Sequence, residues 1–198
     1  MRWVLASGNT GKLRELQSLL APLALDLCAQ SELNIDGAAE TGLTFVENAL
    51  LKARHAASES GLPALADDSG LVVPALHGAP GIYSARYAGV GASDADNRAR
   101  LLSAMEAIGD RRAYFFCTLV LMQHAEDPAP LIASGRWHGQ ILTSERGDGG
   151  FGYDPIFLPD GLSQSAAELA PDEKNRQSHR GRALGVLLAQ LRSGDAPN

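Results

Sequence analysis

Apolar and polar residues come in blocks near the start of the chain. The apolar run Trp3–Ala6 is followed by a polar turn and then by leucines at every third or fourth position over 13–20. This order predicts a strand, a loop and an amphipathic helix, because such spacing places the leucines on one helix face. A second strand is predicted over 23–29, after the break at Pro22.

Three further helices are predicted from the same periodicity. One runs from about Phe45 to Ser58, and Thr44 with Glu47 forms a T-x-x-E capping box at its start. Another covers about 95–108, and the last carries leucines spaced for one helix face over 184–191.

Strands dominate the middle of the chain. The run 114–122 is almost continuously apolar, which is typical of a strand covered on both faces. Helices and strands that alternate early, followed by several strands, indicate an α/β protein with a mixed sheet. The other predicted strands are 64–66, which runs into Asp67, an extended run over 71–73, and two strands over 131–137 and 139–143.

Composition narrows the classes of protein that fit. The 198 residues suit one domain, or one domain with two lobes. A net charge of −6 argues against a general nucleic-acid binder but allows a local cluster of cations to bind a nucleotide. Cys28 and Cys117 stand in apolar surroundings, so we expect buried free thiols. No signal peptide or membrane-spanning apolar stretch is recognisable, so we expect a cytoplasmic protein with no membrane partner.

The turn Ser7–Lys12, with sequence Ser-Gly-Asn-Thr-Gly-Lys, is the first candidate site. Small residues before a helix can turn backbone N–H groups toward one point, where the helix dipole and the Lys12 ammonium also favour phosphate. The sequence does not match G-x-x-x-x-G-K-[ST], because Leu13 follows the lysine. An ordinary strand-to-helix turn would have similar residues, so both interpretations stay open.

Adjacent carboxylates at Asp67 and Asp68 form a second candidate site. Neighbouring side chains of a strand point to opposite faces, so one carboxylate can face a ligand while the other anchors the chain. Carboxylates are common Mg²⁺ ligands beside polyphosphates. An Asp-rich turn is the alternative. Glu40 is a possible second metal ligand or a surface charge, and Lys52 by itself fits a solvated charge.

The third candidate is the glycine-rich segment 149–155, Gly-Gly-Phe-Gly-Tyr-Asp-Pro. Glycines let the backbone approach a flat ligand, and Phe151 or Tyr153 can stack on a base. Asp154 can accept a ring N–H. The alternative is a tight turn whose aromatic side chains fill the core. Further along, a His-Arg pair at 179–180 can donate to a carbonyl oxygen on a base, and the alternative is a polar helix surface on which Arg180 and Arg182 are solvated.

Taken in order, these motifs resemble the inosine triphosphate pyrophosphatase family, also called Ham1-like, and look like its bacterial branch. The resemblance covers about residues 3–192, and its specificity lies in the joint order of the motifs. One departure is Ser7, where the family usually has Thr, and both are small hydroxyl residues. The matching segments are 7–12, 44–49 with Lys52, 66–71, 78–86, 150–155 and 178–180.

The resemblance implies an elongated mixed β-sheet flanked by helices, with two lobes around a central cleft. It implies hydrolysis of the non-standard purine triphosphates ITP, dITP and XTP to the monophosphate and pyrophosphate, which clears deaminated purines from the nucleotide pool. It also implies Mg²⁺ dependence and a homodimer.

The resemblance also implies roles for single residues. Asp68 would hold or activate the attacking water, although Asp67 stays open as the base, and Asp68 with Glu40 would hold the metal. Ser69 would contact the phosphate or ribose. The triphosphate would be held by Ser7, Gly8, Asn9, Thr10, Gly11, Lys12 and Lys52. The base would be held by Phe151, Gly152, Tyr153 and Asp154, with its 6-oxo edge read by Lys174, His179 and Arg180.

The assignment of Lys174, His179 and Arg180 to the 6-oxo edge of the base has a physical basis. Hypoxanthine and xanthine carry an acceptor at position 6, where adenine carries an amino donor. A pocket of donors would leave buried polar groups unpaired against adenine, and such mismatches discriminate by about 10⁴ or more. Guanine also carries O6 and is not rejected by this contact. Two other functions stay open: a nucleotide-binding module without catalysis, and a Maf-like nucleotide pyrophosphatase.

Overall fold

The computed structural model describes residues 2–21 and 26–193, and these residues form a mixed α/β fold. No helix in the described part is both long and apolar enough to cross a membrane. The strands are β1 Arg2–Ala6, β2 Asp26–Ala29, β3 Ala64–Val72, β4 Arg112–Met122, β5 Leu131–Ile141 and β6 Phe157–Pro159; the α-helices are α1 Thr10–Leu20, α2 Phe45–Ser60, α3 Asp94–Ala104, α4 Pro171–Gln177 and α5 His179–Arg192.

The six strands form one sheet in the order β2-β1-β3-β4-β5-β6. Strand β1 runs parallel to both neighbours, with Val4 opposite Cys28 of β2 and Ala64 of β3. Strand β6 runs antiparallel to β5, with Gly139 opposite Pro159. Parallel and antiparallel pairs together confirm the predicted mixed sheet.

The described residues group into two compact units. The first takes in the residues up to Asp68, 117–135 and those from Arg180 onward, and the second takes in 69–116 and 136–179. In the first unit, one core cluster is rich in leucine, and another packs the alanines of α2 against β1 and β3, as expected where small side chains allow close approach. The core of the second unit is more aromatic and includes Phe115, Trp137 and Phe157.

Several predicted elements are confirmed with small shifts. Helix α2 begins at Phe45 as predicted, and the Thr44 hydroxyl accepts the Glu47 N–H at 3.3 Å. The Glu47 carboxylate reaches back to the Leu43 N–H at 2.9 Å, which completes the cap. Both cysteines are free and buried, as expected. Of the strand predicted over 23–29, only Asp26–Ala29 lies in the described residues, and it is a strand.

Two strand predictions were wrong in their boundaries. The residues 67–70 lie inside β3 rather than in a turn, so the strand is continuous from Ala64 to Val72. The two strands expected over 131–143 are one strand, β5, in which buried and exposed residues alternate without interruption. Gly139 lies inside β5, where an added Cβ would be 2.3 Å from the Leu158 carbonyl oxygen, so only glycine lets β6 come this close.

Two elements were missed because they carry little local signal. Strand β6 has three residues, and α4 has one buried residue, Lys174. Helix α3 ends at Ala104 rather than near residue 108. The carbonyl of the next residue, Met105, accepts a hydrogen bond from the Arg111 guanidinium at 3.2 Å.

Candidate active site

The predicted phosphate loop lies at the start of α1 in the first unit. Asn9 is the N-cap, and its side chain accepts the Lys12 N–H at 3.0 Å. The Ser7 hydroxyl accepts the Asn9 N–H at 3.3 Å, while Gly8, Asn9 and Thr10 are exposed. A capped helix start with exposed small residues is a suitable environment for an anion.

Asp67 and Asp68 each meet a different cation in this unit. Asp67 Oδ2 lies 3.3 Å from Lys12 Nζ, and the Asp67 side chain is fully buried. Asp68 Oδ1 lies 2.8 Å from Lys52 Nζ. Successive side chains of β3 point to opposite sides of the strand, so each carboxylate reaches its own lysine.

Lys52 is a bridging cation rather than a solvated charge. Its side chain is only 13% exposed, and its Nζ also lies 3.2 Å from Glu40 Oε1. Burial by itself lowers the pKa of this ammonium, but the carboxylates of Asp67, Asp68 and Glu40 outweigh it, so the pKa lies above its ordinary value. Lys52 therefore stays charged, and it brings Glu40 to Asp68.

Asp68 has the properties of a proton acceptor. Burial raises its pKa, and the attraction of Lys52 and Lys12 offsets only part of that rise. Oδ2 of Asp68 is buried and has no hydrogen-bond partner among the described residues. A carboxylate of raised basicity with one such oxygen can take a proton or bind a cation.

Arg180 joins the same cluster through Asp67 and through Glu15, a residue that was not predicted from the sequence. Its guanidinium pairs with the Glu15 carboxylate, and its Nε lies 3.5 Å from Asp67 Oδ2. The sequence carries one sign that Glu15 belongs to the site, which is its position one helix turn after Lys12 in α1. Burial lowers the pKa of Arg180, but Glu15 and Asp67 outweigh it and leave the pKa raised.

The glycine-rich segment of the second unit is built around Asp154. Asp154 Oδ2 accepts the Phe151 N–H at 2.9 Å and lies 2.6 Å from Lys174 Nζ, and both charged side chains are buried. Gly150 has φ of +70°, and a Cβ there would collide with the Asp154 carboxylate. The glycine is therefore required for this turn.

The two aromatic residues of this segment have different environments. Phe151 is half-buried, and the Lys174 ammonium lies 4.7 Å from its ring centre. Tyr153 is part of the core, and its hydroxyl donates to the Ser84 carbonyl at 2.8 Å. Burial, with Tyr87 and Asp94 nearby, raises the pKa of Tyr153. Tyr153 therefore fits the alternative interpretation of this segment, in which the aromatic side chains fill the core.

His179 and Gly152 gain partners that sequence reasoning missed. The His179 ring stacks on Phe115, with ring centres 4.8 Å apart and planes 11° apart. Gly152 donates its N–H to Asp94 Oδ2 at 2.7 Å and accepts from Arg98 at 2.9 Å.

Ser69 is half-buried in β3. The second unit thus holds Ser69, Phe151, Gly152, Tyr153, Asp154, Lys174 and His179, whereas Arg180 and the loop residues belong to the first.

Carboxylates are the candidate metal ligands in this chain. In the part of the chain that the structure describes, no group of three or more His, Cys, Asp or Glu side chains is arranged to hold a metal ion. Glu40 and Asp68 are instead brought together through the Lys52 ammonium.

The fold and these clusters define a mixed α/β protein whose lysines and carboxylates suit a phosphorylated ligand. The family description "Ham1 family" matches residues 3–190. The chain belongs to the Ham1 family.

Named relatives agree with this membership. A dITP/XTP pyrophosphatase of Pectobacterium atrosepticum is 60% identical over 96% of this chain and 98% of its own length. A dITP/XTP pyrophosphatase of Yersinia pestis is 59% identical over 96% of this chain and 97% of its own. The solved structure of a HAM1 protein from Coxiella burnetii superimposes with a TM-score of 0.90 at 51% identity, covering 98% of this chain and 99% of that one.

Proposed function

We propose that this chain is a divalent-metal-dependent pyrophosphatase of non-standard purine nucleoside triphosphates, acting on dITP, XTP and ITP. The names of the relatives support this substrate class. The observation that carries the chemistry is the buried Asp68 carboxylate, 2.8 Å from Lys52, with its second oxygen without a partner in the described part of the chain.

The first unit supplies the triphosphate site of this proposal. The loop residues Gly8, Thr10 and Gly11 offer backbone N–H groups, Ser7 and Asn9 hold the loop in shape through the hydrogen bond between them, and Lys12 and Lys52 offer ammonium groups. Negative charge accumulates on pyrophosphate as it leaves, so these fixed cations stabilise the transition state more than the substrate.

Asp68 is the base in this mechanism. It takes a proton from water, the water oxygen bonds to the α-phosphorus, and the bond from that phosphorus to the bridging oxygen of the β-phosphate breaks. The products are the monophosphate and pyrophosphate. Asp67 is less suited to this role because it lies beside two cations, Lys12 and Arg180, and its side chain is fully buried, whereas the Asp68 side chain is 8% exposed.

Oxygen ligands at Asp68 and Glu40 fit a hard cation such as Mg²⁺. The Asp68 and Glu40 carboxylates, which both contact Lys52, are the groups that would hold it. When bound, such an ion neutralises phosphate charge. Lys52 holds the two carboxylates together and keeps their mutual repulsion low.

Recognition of the base belongs to the second unit in this proposal, with Arg180 added. The half-buried Phe151 ring stacks on the base, Gly152 and Tyr153 shape its surroundings, and Asp154 accepts a ring N–H. Lys174, His179 and Arg180 donate to the 6-oxo oxygen, while Ser69 contacts the phosphate or ribose. The donors would be left unpaired against adenine, which gives the discrimination.

The remaining parts of the proposal concern assembly and location. We propose a homodimer that works in the cytoplasm, on nucleotides and without a nucleic-acid partner. The candidate dimer surface is the Tyr-bearing stretch 82–87, in which Tyr83 is half exposed.

Asp68→Asn tests the catalytic assignment. The amide keeps the size of the side chain but cannot take the proton, so we expect turnover of dITP with Mg²⁺ to fall by at least about 100-fold. Asp110→Asn is the matched control, because Asp110 is an exposed aspartate that pairs with Arg112. Near-normal turnover by a folded Asp68→Asn protein would remove Asp68 from the mechanism.

A further inference from the structure

The segment 36–44, which carries Glu40, is tied to helix α2 at both of its ends. His55 Nε2 donates to the Asp36 carbonyl at 2.9 Å. At the other end, Gly42 donates its N–H to Asn48 Oδ1 at 2.8 Å, and Leu43 donates to Glu47 at 2.9 Å. Glu40 therefore lies between two fixed points of the same helix.

Asn48 is the buried member of these ties. It is 0% exposed, and its Nδ2 has no hydrogen-bond partner among the described residues. A buried amide donor without a partner costs about 1–3 kcal/mol, so the bond that Asn48 Oδ1 accepts from Gly42 has to offset this cost. Asn48 also lies one helix turn before Lys52, on the same side of α2.

Gly42 completes the contact from the side of the loop. A Cβ at position 42 would lie 2.5 Å from Glu47 Cβ and 2.8 Å from Asn48 Oδ1. No side chain fits there without moving the loop away from α2. The backbone at Gly42 and the amide of Asn48 thus form a close contact two residues from Glu40.

We propose that Asn48 is a positioning residue, which holds Gly42 so that the Glu40 carboxylate stays beside Lys52 and Asp68. The inference rests on the proposed function, in which Glu40 helps to hold the metal. Loss of the Asn48–Gly42 bond would let Glu40 leave Lys52 and would weaken metal binding without removing any ligand. Loss of such an outer contact typically costs 10–100-fold in metal affinity.

The test compares Asn48→Ala and Gly42→Ala with Gly37→Ala. Gly37 belongs to the same segment, but a Cβ there would meet only Gln30 Nε2 at 3.9 Å, so this control should behave like the wild type. We expect the Mg²⁺ concentration for half-maximal dITP hydrolysis to rise at least about tenfold in the first two variants. Mn²⁺ binding, followed by the paramagnetic resonance of free Mn²⁺, should weaken in parallel.

Two further measurements distinguish loss of the Glu40 position from a general destabilisation of the protein. Amide hydrogen exchange at Gly42 should be slow in the wild type and in Glu40→Gln, and fast in Asn48→Ala. Glu40→Gln should itself weaken metal binding, and Asn48→Ala should add little to it in the double variant. Additive losses, or slow exchange at Gly42 in Asn48→Ala, would overturn the inference.

Failure of the proposed function has a different signature. A wild-type protein that hydrolyses no triphosphate contradicts the function, whatever the exchange at Gly42. Active enzyme whose metal dependence is unchanged by Asn48→Ala and Gly42→Ala contradicts the positioning role alone.

Discussion

Lys12 lies in the predicted phosphate loop, yet its ammonium is 3.3 Å from the buried Asp67 carboxylate. A lysine held this way is fixed in place without a ligand, and the fixed charge needs little reorganisation when an anion arrives. Asp67 in turn also contacts Arg180, so its negative charge is shared between two cations. At the scale of single residues, the site is thus a set of charges held in position by other charges.

Replacing Lys12 by Ala should weaken both binding and turnover. The variant loses an ammonium that stabilises phosphate charge in the ground state and in the transition state, so KM should rise and kcat should fall. We expect kcat/KM for dITP to drop by about 100-fold or more. Steady-state kinetics measure this, with the exposed Arg112→Ala as control. An unchanged KM would place Lys12 away from the substrate.

Cys117 should be unreactive in the folded protein. Burial raises the pKa of its thiol, with the Asp67 carboxylate adding to the rise, and the side chain is 0% exposed. Thiolate, the reactive form, is therefore scarce at pH 8. Cys28 is also buried, so a thiol reagent should label neither cysteine in the native protein and both after unfolding. Rapid labelling of native Cys117 would contradict this environment.

The residue types of the site were predictable from sequence, but several contacts were not. The adjacent carboxylates and the glycine-rich segments stood out as motifs, whereas Lys52 and Lys174 were assigned to the site only through the family resemblance. Glu15 was missed because its partner Arg180 is 165 positions away. Phe115 was missed because an apolar residue in a buried strand carries no sign that it stacks on His179.

At the scale of elements, the helix starts show the closest link between local sequence and structure. The caps of α1 and α2 each pair a side-chain oxygen with an N–H three residues later. The start of α2 was predicted from its cap because capping needs only neighbouring residues, whereas α1 was predicted from its leucine spacing and its Asn9 cap was missed. Strand β6 and helix α4 could not be predicted from local sequence. Strand β6 has only three residues, and α4 has seven residues with one buried position, so tertiary packing holds both elements in place.

Thr44→Ala should destabilise the protein through α2. The Thr44 oxygen accepts the Glu47 N–H and its hydroxyl donates to the Glu47 carboxylate at 2.8 Å, so alanine removes both. Loss of an N-cap costs about 1 kcal/mol in free energy of unfolding. Urea denaturation measures it, and Thr44→Ser, which keeps the oxygen, should lose much less. Equal losses in both variants would rule out capping as the cause.

The hydrogen bonds at the start of α2 also predict that the free energy of unfolding depends on pH. Hydrogen bonds from Thr44 and from the Leu43 and Thr44 backbone hold the pKa of Glu47 below its ordinary value of 4.5. A depressed carboxyl pKa stabilises the fold above that ordinary value, and the contribution is lost as the pH falls through the folded value. The stability difference between wild type and Glu47→Gln should therefore be full at pH 7 and shrink below about pH 4.5. A constant difference would contradict it.

At the scale of the whole molecule, chemistry comes from widely separated parts of the sequence. The first unit alone combines three stretches of chain, and its charged cluster takes residues from the stretches that contain Lys12 and Arg180. The sequence showed the mixed sheet because helical and strand periods alternate along it. It could not show the strand order, which depends on contacts between distant segments.

The central claim is that the chain cleaves triphosphates of deaminated purines between the α- and β-phosphates. The most direct measurement incubates dITP, XTP, dATP and dGTP with the protein and Mg²⁺, and identifies the phosphorus products by ³¹P NMR. We expect monophosphate and pyrophosphate from dITP and XTP, with kcat/KM at least about 10⁴ higher than for dATP. Equal rates on dATP, or diphosphate and inorganic phosphate as products, would contradict the account.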